Sequence, residues 1–305
     1  MFYLVLFCNA TASAFIGPAA SSLVPQIVPL KIFSNAAAWL SSGFQVGSVL
    51  GPALGGWMIA LMAGASAVYG CTALGILCFC GFVWFMEVPE RKISSEPVTF
   101  KTLAVGAHFI WNTPVILGAL TLDLFAVLFG GAVALLPIFA RDILNAGPTG
   151  LGILRSAPSI GALLMTFVLT RTALLSRAGK ALLWSVIGFG IATIGFGLSR
   201  TFWLSALMLG LTGALDNISV IIRNTLVMVR TPDAMRGRVQ AVNNMFISIS
   251  NELGWFESGL TAWLFGPVIS VVGGGIGTLL VVLAAAKKWP EIVRLRGLTP
   301  RPDKR

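Results

Sequence analysis

The sequence has 305 residues, of which 56% are hydrophobic and only 10% are charged, whereas an average soluble domain carries about 25% charged residues. So few charged side chains cannot cover the surface of a soluble protein, and the composition therefore excludes a soluble globular enzyme, a disordered protein and a nucleic-acid-binding protein. The net charge of +10 fits a chain embedded in lipid, because cytoplasmic loops are rich in Lys and Arg while membrane-spanning helices hold few acidic residues to balance them.

Apolar segments long enough to cross a bilayer recur along the whole chain. A transmembrane helix needs about 20 predominantly apolar residues. By this criterion the sequence predicts nine spans, at 2–23, 37–62, 66–86, 115–139, 149–170, 180–199, 203–228, 238–263 and 265–286. The predicted fold class is therefore an all-α integral membrane protein.

Charged residues cluster between and after these spans. The segment 88–112 predicts a cytoplasmic linker between two helical lobes, and 287–305 predicts a basic cytoplasmic tail. Most of the 21 Lys and Arg residues fall on one side of the predicted bilayer, whereas the other side receives Arg141, Arg155 and Arg200. The excess of basic residues marks the cytoplasmic side, so we expect the linker and the C-terminus there.

An internal repeat relates the beginning of the chain to its end. When the sequence is shifted along itself by 203 residues, Gly56 meets Gly259 and Gly70 meets Gly273, and the first three predicted spans align with the last three. Parallel repeats of six helices build the two halves of one large class of transporters. The spans between 115 and 199 have no partner in this chain, so we expect three further helices, roughly 90–100 residues, before residue 1.

The repeat also predicts how the chain divides into lobes. Residues 1–87 form a partial N-terminal lobe that corresponds to helices 4–6 of a twelve-helix protein, and residues 113–286 form a complete C-terminal lobe of six helices.

A glycine-rich motif, GxxxGPxxGG, stands in the second predicted span. Its residues are Gly47, Gly51, Pro52, Gly55 and Gly56. Glycines spaced four residues apart form a smooth helix face on which another helix can pack closely, and proline permits a bend. The motif resembles the antiporter motif in the fifth helix of exporters of the major facilitator superfamily.

Longer segments resemble the enterobactin-exporter, or transmembrane-secretion-effector, branch of that superfamily. They read LDLFAVLFGGAVALLPIFARDIL, GPTGLGILRSAPSIGALL and RGRVQAVNNMFISISNELGWFESG. The resemblance implies a major facilitator fold with nine of its twelve helices present, two lobes around a central cavity, and alternating access. It also implies proton-coupled efflux of a small organic molecule, siderophore- or drug-like, across a bacterial cytoplasmic (inner) membrane.

Ionisable residues within the spans are few, and each marks a cavity, an ion pair or a proton pathway because a charge at bilayer depth costs several kcal/mol. Asp216 and Arg223 lie on one face of the span 203–228, and Asp123 lies at a depth similar to that of Arg223. We expect an Asp123–Arg223 pair and a proton-carrying role for Asp123 or Asp216. The alternative is a static ion pair that only holds the lobe together.

The span 238–263 is amphipathic in a way that contact with lipid alone does not require. Asn244, Asn251 and Trp255 share a narrow polar stripe, and Glu252 borders it. These four residues are candidates for contact with the substrate or with protons, and the Trp255 ring can stack on an aromatic substrate.

A charged pair is predicted near the outer surface. Arg155 lies in the outer part of the span 149–170, and Glu257 lies close to the outer end of the span 238–263. The two side chains are a candidate outer-gate ion pair. Alternatively, each charged group extends independently towards water.

The pattern favours a secondary transporter whose partners are the lipid bilayer, a small-molecule substrate and protons, with no nucleic acid, cofactor or metal. An enzyme is not expected, because the sequence has neither HExxH nor GxSxG and its single histidine, His108, lies outside the spans. Import is not excluded, although the motif around Pro52 favours antiport. The alternative function is that of an N-terminally truncated fragment with no transport activity of its own.

Overall fold

A computed structural model describes residues 4–5, 7–12, 27–28, 33–62, 64–86, 100–171, 178–232, 235–293 and 295. Across these ranges the regular structure is helical throughout. The helices are α1 (Phe33–Leu61), α2 (Ser66–Trp84), α3 (Phe100–Trp111), α4 (Pro114–Phe129), α5 (Gly147–Arg171), α6 (Ala178–Leu198), α7 (Phe202–Arg230), α8 (Arg236–Phe265), α9 (Pro267–Lys288) and α10 (Pro290–Val293).

The helix α4 does not stop cleanly at Phe129. The chain continues as a 3₁₀ turn (Gly131–Leu135), one α-helical turn (Leu136–Ile138) and a π turn (Phe139–Ile143). Turns of these types accompany functional sites in many helices, because they redirect side chains without ending the helix. Here the 3₁₀ turn brings backbone and small side chains of the α4 extension to the wall of a cavity.

The chain separates into two compact units. The first comprises residues 1–47 and 66–96, and the second comprises residues 48–65 and 97–305. In the first unit, α2 is apolar and has no buried residue among those described. A helix that is apolar all round and open on all sides is suited to lipid.

The second unit contains the six long helices α4 to α9. Within it α5 packs along α7, α6 packs along α7 and α9, and α4 packs along α8 and α9. Two apolar clusters form the core. The first is centred on fully buried Ile116, Leu122, Ile222 and Val239, and the second on Leu136, Phe139, Leu154 and Phe196.

Small residues bring these helices close together. A Cβ atom on Gly161 of α5 would collide with the backbone carbonyl of Gly210 in α7. A Cβ atom on Gly190 of α6 would lie 3.1 Å from the carbonyl oxygen of Gly275 in α9. Lipid gives no hydrophobic force between helices, so this tight backbone packing is a main source of association.

Seven of the described helical segments are long and apolar enough to cross a membrane. They coincide with the predicted spans 37–62, 66–86, 115–139, 149–170, 180–199, 203–228 and 265–286. The predicted span 238–263 coincides with α8, a 30-residue helix whose polar stripe makes it less apolar than the others. The predicted span 2–23 lies mostly outside the described residues.

The described residues of the two charged segments pack within the second unit. The predicted linker 88–112 contains α3, whose Gly106 packs against the backbone of Arg238 and the side chain of Val242; residues 88–99 lie outside the described residues. At the start of the predicted tail 287–305, Ile292 and Leu295 are buried in the second unit. The predicted division into lobes and linker stays a prediction.

Candidate functional site

A buried ion pair joins α4 and α7. The guanidinium of Arg223 contacts the carboxylate of Asp123, and only 3% and 8% of the two side chains are exposed. Leu122 and Ile222, the residues that precede them, are fully buried. A charge in such surroundings is strongly unfavourable unless an opposite charge compensates it. The structure therefore brings together the two residues that the sequence placed at similar depth.

Asp216 lines a cavity of about 170 Å³ in the second unit. Asn251 and Trp255 of α8 line the same cavity, so three of the predicted pathway residues meet at one site. Thr193 and Thr212 add hydroxyl groups, and the rest of the wall comes from apolar side chains and from the small residues of the α4 extension. This combination of an apolar wall with a few convergent polar groups is typical of small-molecule sites.

A smaller crevice shares Asp216 with this cavity and Asp123 with the ion pair. Its volume is about 10 Å³, and it is lined by Asp123, Asp216, Ser185 and Ser219. Phe189 borders both the crevice and the larger cavity. Apolar side chains complete its lining, and its size is about the minimum that one water molecule needs. Both aspartates therefore line one small space within the lobe.

Glu252 and Asn244 of α8 lie elsewhere. Both are exposed, and the Asn244 side-chain oxygen accepts a hydrogen bond from the side-chain amide of Gln240 at 2.9 Å. Neither is among the residues that line the cavities described here. Their predicted contact with substrate or protons stays a prediction.

Arg155 and Glu257 are not in ion-pair contact in this structure. Arg155 lines a second cavity, of about 230 Å³, together with Trp255. The Glu257 carboxylate instead accepts a hydrogen bond from the hydroxyl of Ser258 at 3.4 Å. Two residues along a helix correspond to a rotation of about 200°, so Glu257 lies on the side of α8 opposite Trp255. The predicted outer-gate pair is therefore not formed in this arrangement.

The glycine-rich motif contacts α5 through one of its glycines and through Pro52. A Cβ atom on Gly56 would lie 2.5 Å from the carbonyl oxygen of Pro148, and one on Gly152 would collide with the carbonyl of Pro52. The Ser156 hydroxyl donates a hydrogen bond to the carbonyl oxygen of Val49 at 2.7 Å.

Gly51, on the glycine face predicted from the four-residue spacing, takes no part in this contact. A Cβ atom on Gly51 would meet nothing within 4 Å, and Gly55 is partly buried. Gly47 belongs to α1 within the first unit. The residues of α1 that contact α5 are instead Val49, Pro52 and Gly56, which are spaced by three and four positions.

One polar contact between helices is not apparent from the sequence pattern. The side-chain amide of Asn217 donates hydrogen bonds to the carbonyl oxygen of Ala162 and to the hydroxyl of Thr166, both at 2.8 Å, and so fixes α7 against α5. The only signal in the sequence is a second polar residue beside Asp216 in an apolar span. This contact holds the segment of α7 that carries Asp216.

Several curated bacterial transporters are similar to this chain. The enterobactin exporter EntS of Shigella flexneri is 26% identical over 259 residues, which cover 84% of this chain and 61% of that protein. EntS of Citrobacter koseri is 27% identical over 281 residues, which cover 92% and 67%. EntS of Escherichia coli O81 is 25% identical over 279 residues, which cover 91% and 66%. The chain thus spans 61–67% of the length of these relatives.

The family follows from a match over most of the chain. The model of the Major Facilitator Superfamily matches residues 1–255. The described apolar helices and the exporter relatives agree with this match, and the resemblance to the enterobactin-exporter branch is confirmed. The chain therefore belongs to the Major Facilitator Superfamily and is an all-α integral membrane protein.

Proposed function

We propose that this chain is a secondary active transporter that exports a small organic molecule by alternating access in exchange for protons. Membership of the Major Facilitator Superfamily supports transport and a non-enzymatic role. Similarity to proteins named as enterobactin exporters supports efflux, and a siderophore- or drug-like molecule is the proposed substrate class. The proposed location is the bacterial cytoplasmic membrane, with the C-terminus in the cytoplasm.

The observation that carries the proton-coupling proposal is the position of Asp216. It lines the cavity of about 170 Å³ and shares the crevice with Asp123 of the buried Asp123–Arg223 pair. When both carboxylates are ionised, these three side chains carry a net charge of −1. A net charge is unfavourable in low-dielectric surroundings, so uptake of one proton is favoured there.

The ion pair supports Asp216, and not Asp123, as the proton carrier. Arg223 contacts Asp123 directly and neutralises its charge. Asp216 has no comparable cation beside it among the residues that line its cavity. Asp216 is therefore the proposed proton carrier, and Arg223 with Asp123 provides a fixed, neutral background. The static-pair interpretation then applies to Asp123 and Arg223 alone.

The site provides space for part of an organic molecule. The two cavities, of about 170 and 230 Å³, share residues Val133 and Trp255. Single small-molecule sites usually measure about 300–1,000 Å³. The first probe is enterobactin, because it is the compound named in the relatives.

The test is proton movement that depends on enterobactin. The chain is reconstituted into liposomes that enclose a pH-sensitive dye, enterobactin is added, and the change in internal pH is followed. The Asp216→Asn variant is expected to lose the enterobactin-dependent signal, because an amide cannot carry the proton. Asp142→Asn, a change at an exposed position in the π turn, is the matched control and is expected to retain the signal. An unchanged signal in Asp216→Asn would contradict the proposal.

A further inference from the structure

Arg155 is a cationic residue within a membrane span that the proton pathway does not use. It lies about 12 Å along α5 from Gly147, at 1.5 Å per residue. Its side chain is exposed to a cavity of about 230 Å³. A charged side chain at such depth is rare and by default indicates a functional site.

The surroundings of Arg155 do not neutralise it. Within the described part of the chain, no carboxylate lies within ion-pair distance of its guanidinium. The other residues lining its cavity are apolar or aromatic: Val133, Ala134, Leu136, Pro137, Leu151 and Trp255. The cavity therefore presents one positive charge in an otherwise apolar wall.

Trp255 joins this cavity to the one that holds Asp216. Both cavities are lined by Val133 and Trp255, and 51% of the Trp255 surface is exposed. Its ring is thus accessible to a molecule that occupies either cavity. The first cavity is also lined by Asp216 and Asn251, which provide hydrogen-bond acceptors and an amide donor.

We infer that Arg155 binds an acidic group on the transported molecule while Trp255 contacts its planar body. The substrate class is an amphipathic aromatic acid with hydrogen-bonding groups at the end remote from the acid. This inference rests on the proposed transport function, and it changes the role of Arg155 from an outer gate to a determinant of substrate specificity.

The chemistry of arginine suits this role. The planar guanidinium matches a carboxylate or sulfonate with two parallel hydrogen bonds, and such charge-assisted bonds are about twice as strong as neutral ones. The Arg155 guanidinium lies beside an apolar wall that offers it no side-chain partner. A bound anion supplies that partner, whereas a neutral molecule of the same shape does not. Discrimination between the two is therefore the expected property of the site.

Binding of a matched pair of probes tests the inference without requiring transport. The full chain in lipid nanodiscs is titrated calorimetrically with 2-naphthoate and with its neutral isostere 2-naphthamide. The wild-type chain is expected to prefer 2-naphthoate, and Arg155→Gln is expected to weaken 2-naphthoate binding by about tenfold or more, because a hydrogen bond to a charged group contributes at least one factor of ten. Binding of 2-naphthamide should stay the same.

Two variants control for charge and folding. Arg155→Lys keeps the charge and is expected to restore part of the preference. Arg141→Gln removes a positive charge from an exposed residue in the π turn, and it should change neither affinity. The inference is overturned if the wild-type chain binds neither probe or does not prefer the anion, or if Arg155→Gln weakens both probes equally. The probes are titrated without a proton gradient, so their binding can be observed even if enterobactin causes no proton movement, and the two proposals fail separately.

Discussion

At the residue scale, the Asp123–Arg223 pair is a strong constraint on the lobe. Both side chains are buried, and each charge depends on the other for compensation. We expect Arg223→Gln to lower the free energy of unfolding by about 3–5 kcal/mol, because it leaves Asp123 buried and unpaired. Unfolding in mixed micelles of a mild detergent and sodium dodecyl sulfate, followed by circular dichroism, measures this change.

A double variant distinguishes the effect of leaving one charge unpaired from the effect of removing the ion pair. Asp123→Asn combined with Arg223→Gln removes both charges and is expected to recover most of the stability lost in Arg223→Gln. Arg141→Gln, which breaks an exposed ion pair with Asp142, should have little effect. A double variant as unstable as Arg223→Gln would show that the charges do not compensate each other.

The sequence could predict this pair but not the fate of Arg155 and Glu257. Asp123 and Arg223 stand out because charges are rare in apolar spans, and counting residues along each span puts them at similar depth. Depth alone does not say which way a side chain points around its helix. Glu257 lies on the other side of α8 from Trp255, which shares a cavity with Arg155, and only the packed lobe fixes that rotation.

At the element scale, the backbones of α1 and α5 approach each other so closely that a side chain does not fit between them at Gly56 and Gly152. Gly152 lies against the backbone of Pro52 and leaves no space for a Cβ atom. We expect Gly152→Val to destabilise the protein by about 1–3 kcal/mol, because the helices must move apart to admit the side chain. The apparent melting temperature in detergent provides the measurement.

The motif itself contains the matched control. A Cβ atom on Gly51 would meet nothing within 4 Å, so Gly51→Ala is expected to be neutral or slightly stabilising, since alanine favours the helix. If Gly51→Ala were as damaging as Gly152→Val, the face of α1 that meets α5 would have been assigned wrongly.

The segment after α9 is rich in basic residues, yet it contains buried apolar side chains. Ile292 of α10 is 1% exposed, and the backbone amide of Gly179 in α6 donates a hydrogen bond to the carbonyl oxygen of Leu295 at 3.2 Å. We expect Ile292→Ala to lower the free energy of unfolding by about 2–5 kcal/mol, as for other buried isoleucines. Glu291→Ala, at the exposed neighbouring position, should change stability little, and the same detergent titration compares the two variants.

A packed role for α10 is hard to predict from the sequence. The segment has only a few apolar residues between proline and a run of basic side chains, too short for a helical period to be visible. Its burial depends on a space between the starts of α4 and α6, where Gly118 and Gly179 both lie against Ile292. That space exists only after the six helices have packed.

At the scale of the whole molecule, hydropathy was sufficient to predict an all-α membrane protein. Lipid requires a spanning segment to be predominantly apolar and helical, so its length and its position are both visible in the sequence. The cavities were not predictable in the same way. Asp216, Asn251 and Trp255 meet because the extension of α4 converges with the middle parts of α5 to α8, and no local pattern encodes that convergence.

Charge predicts the orientation of the molecule in the membrane, and that orientation decides what the cavities face. By the positive-inside rule we expect the tail 287–305 in the cytoplasm and the loop at Arg200 outside. We expect a green fluorescent protein fused after Arg305 to fluoresce and an alkaline phosphatase fused there to be inactive, because the first folds in the cytoplasm and the second only outside it. Phosphatase fused after Arg200 should be active.

In this orientation α5 enters from the outside, Arg155 lies nearer the outer surface than Asp216, and an acidic group bound by Arg155 would lead the substrate outward. The opposite fusion pattern would reverse the membrane orientation and make import the direction to test.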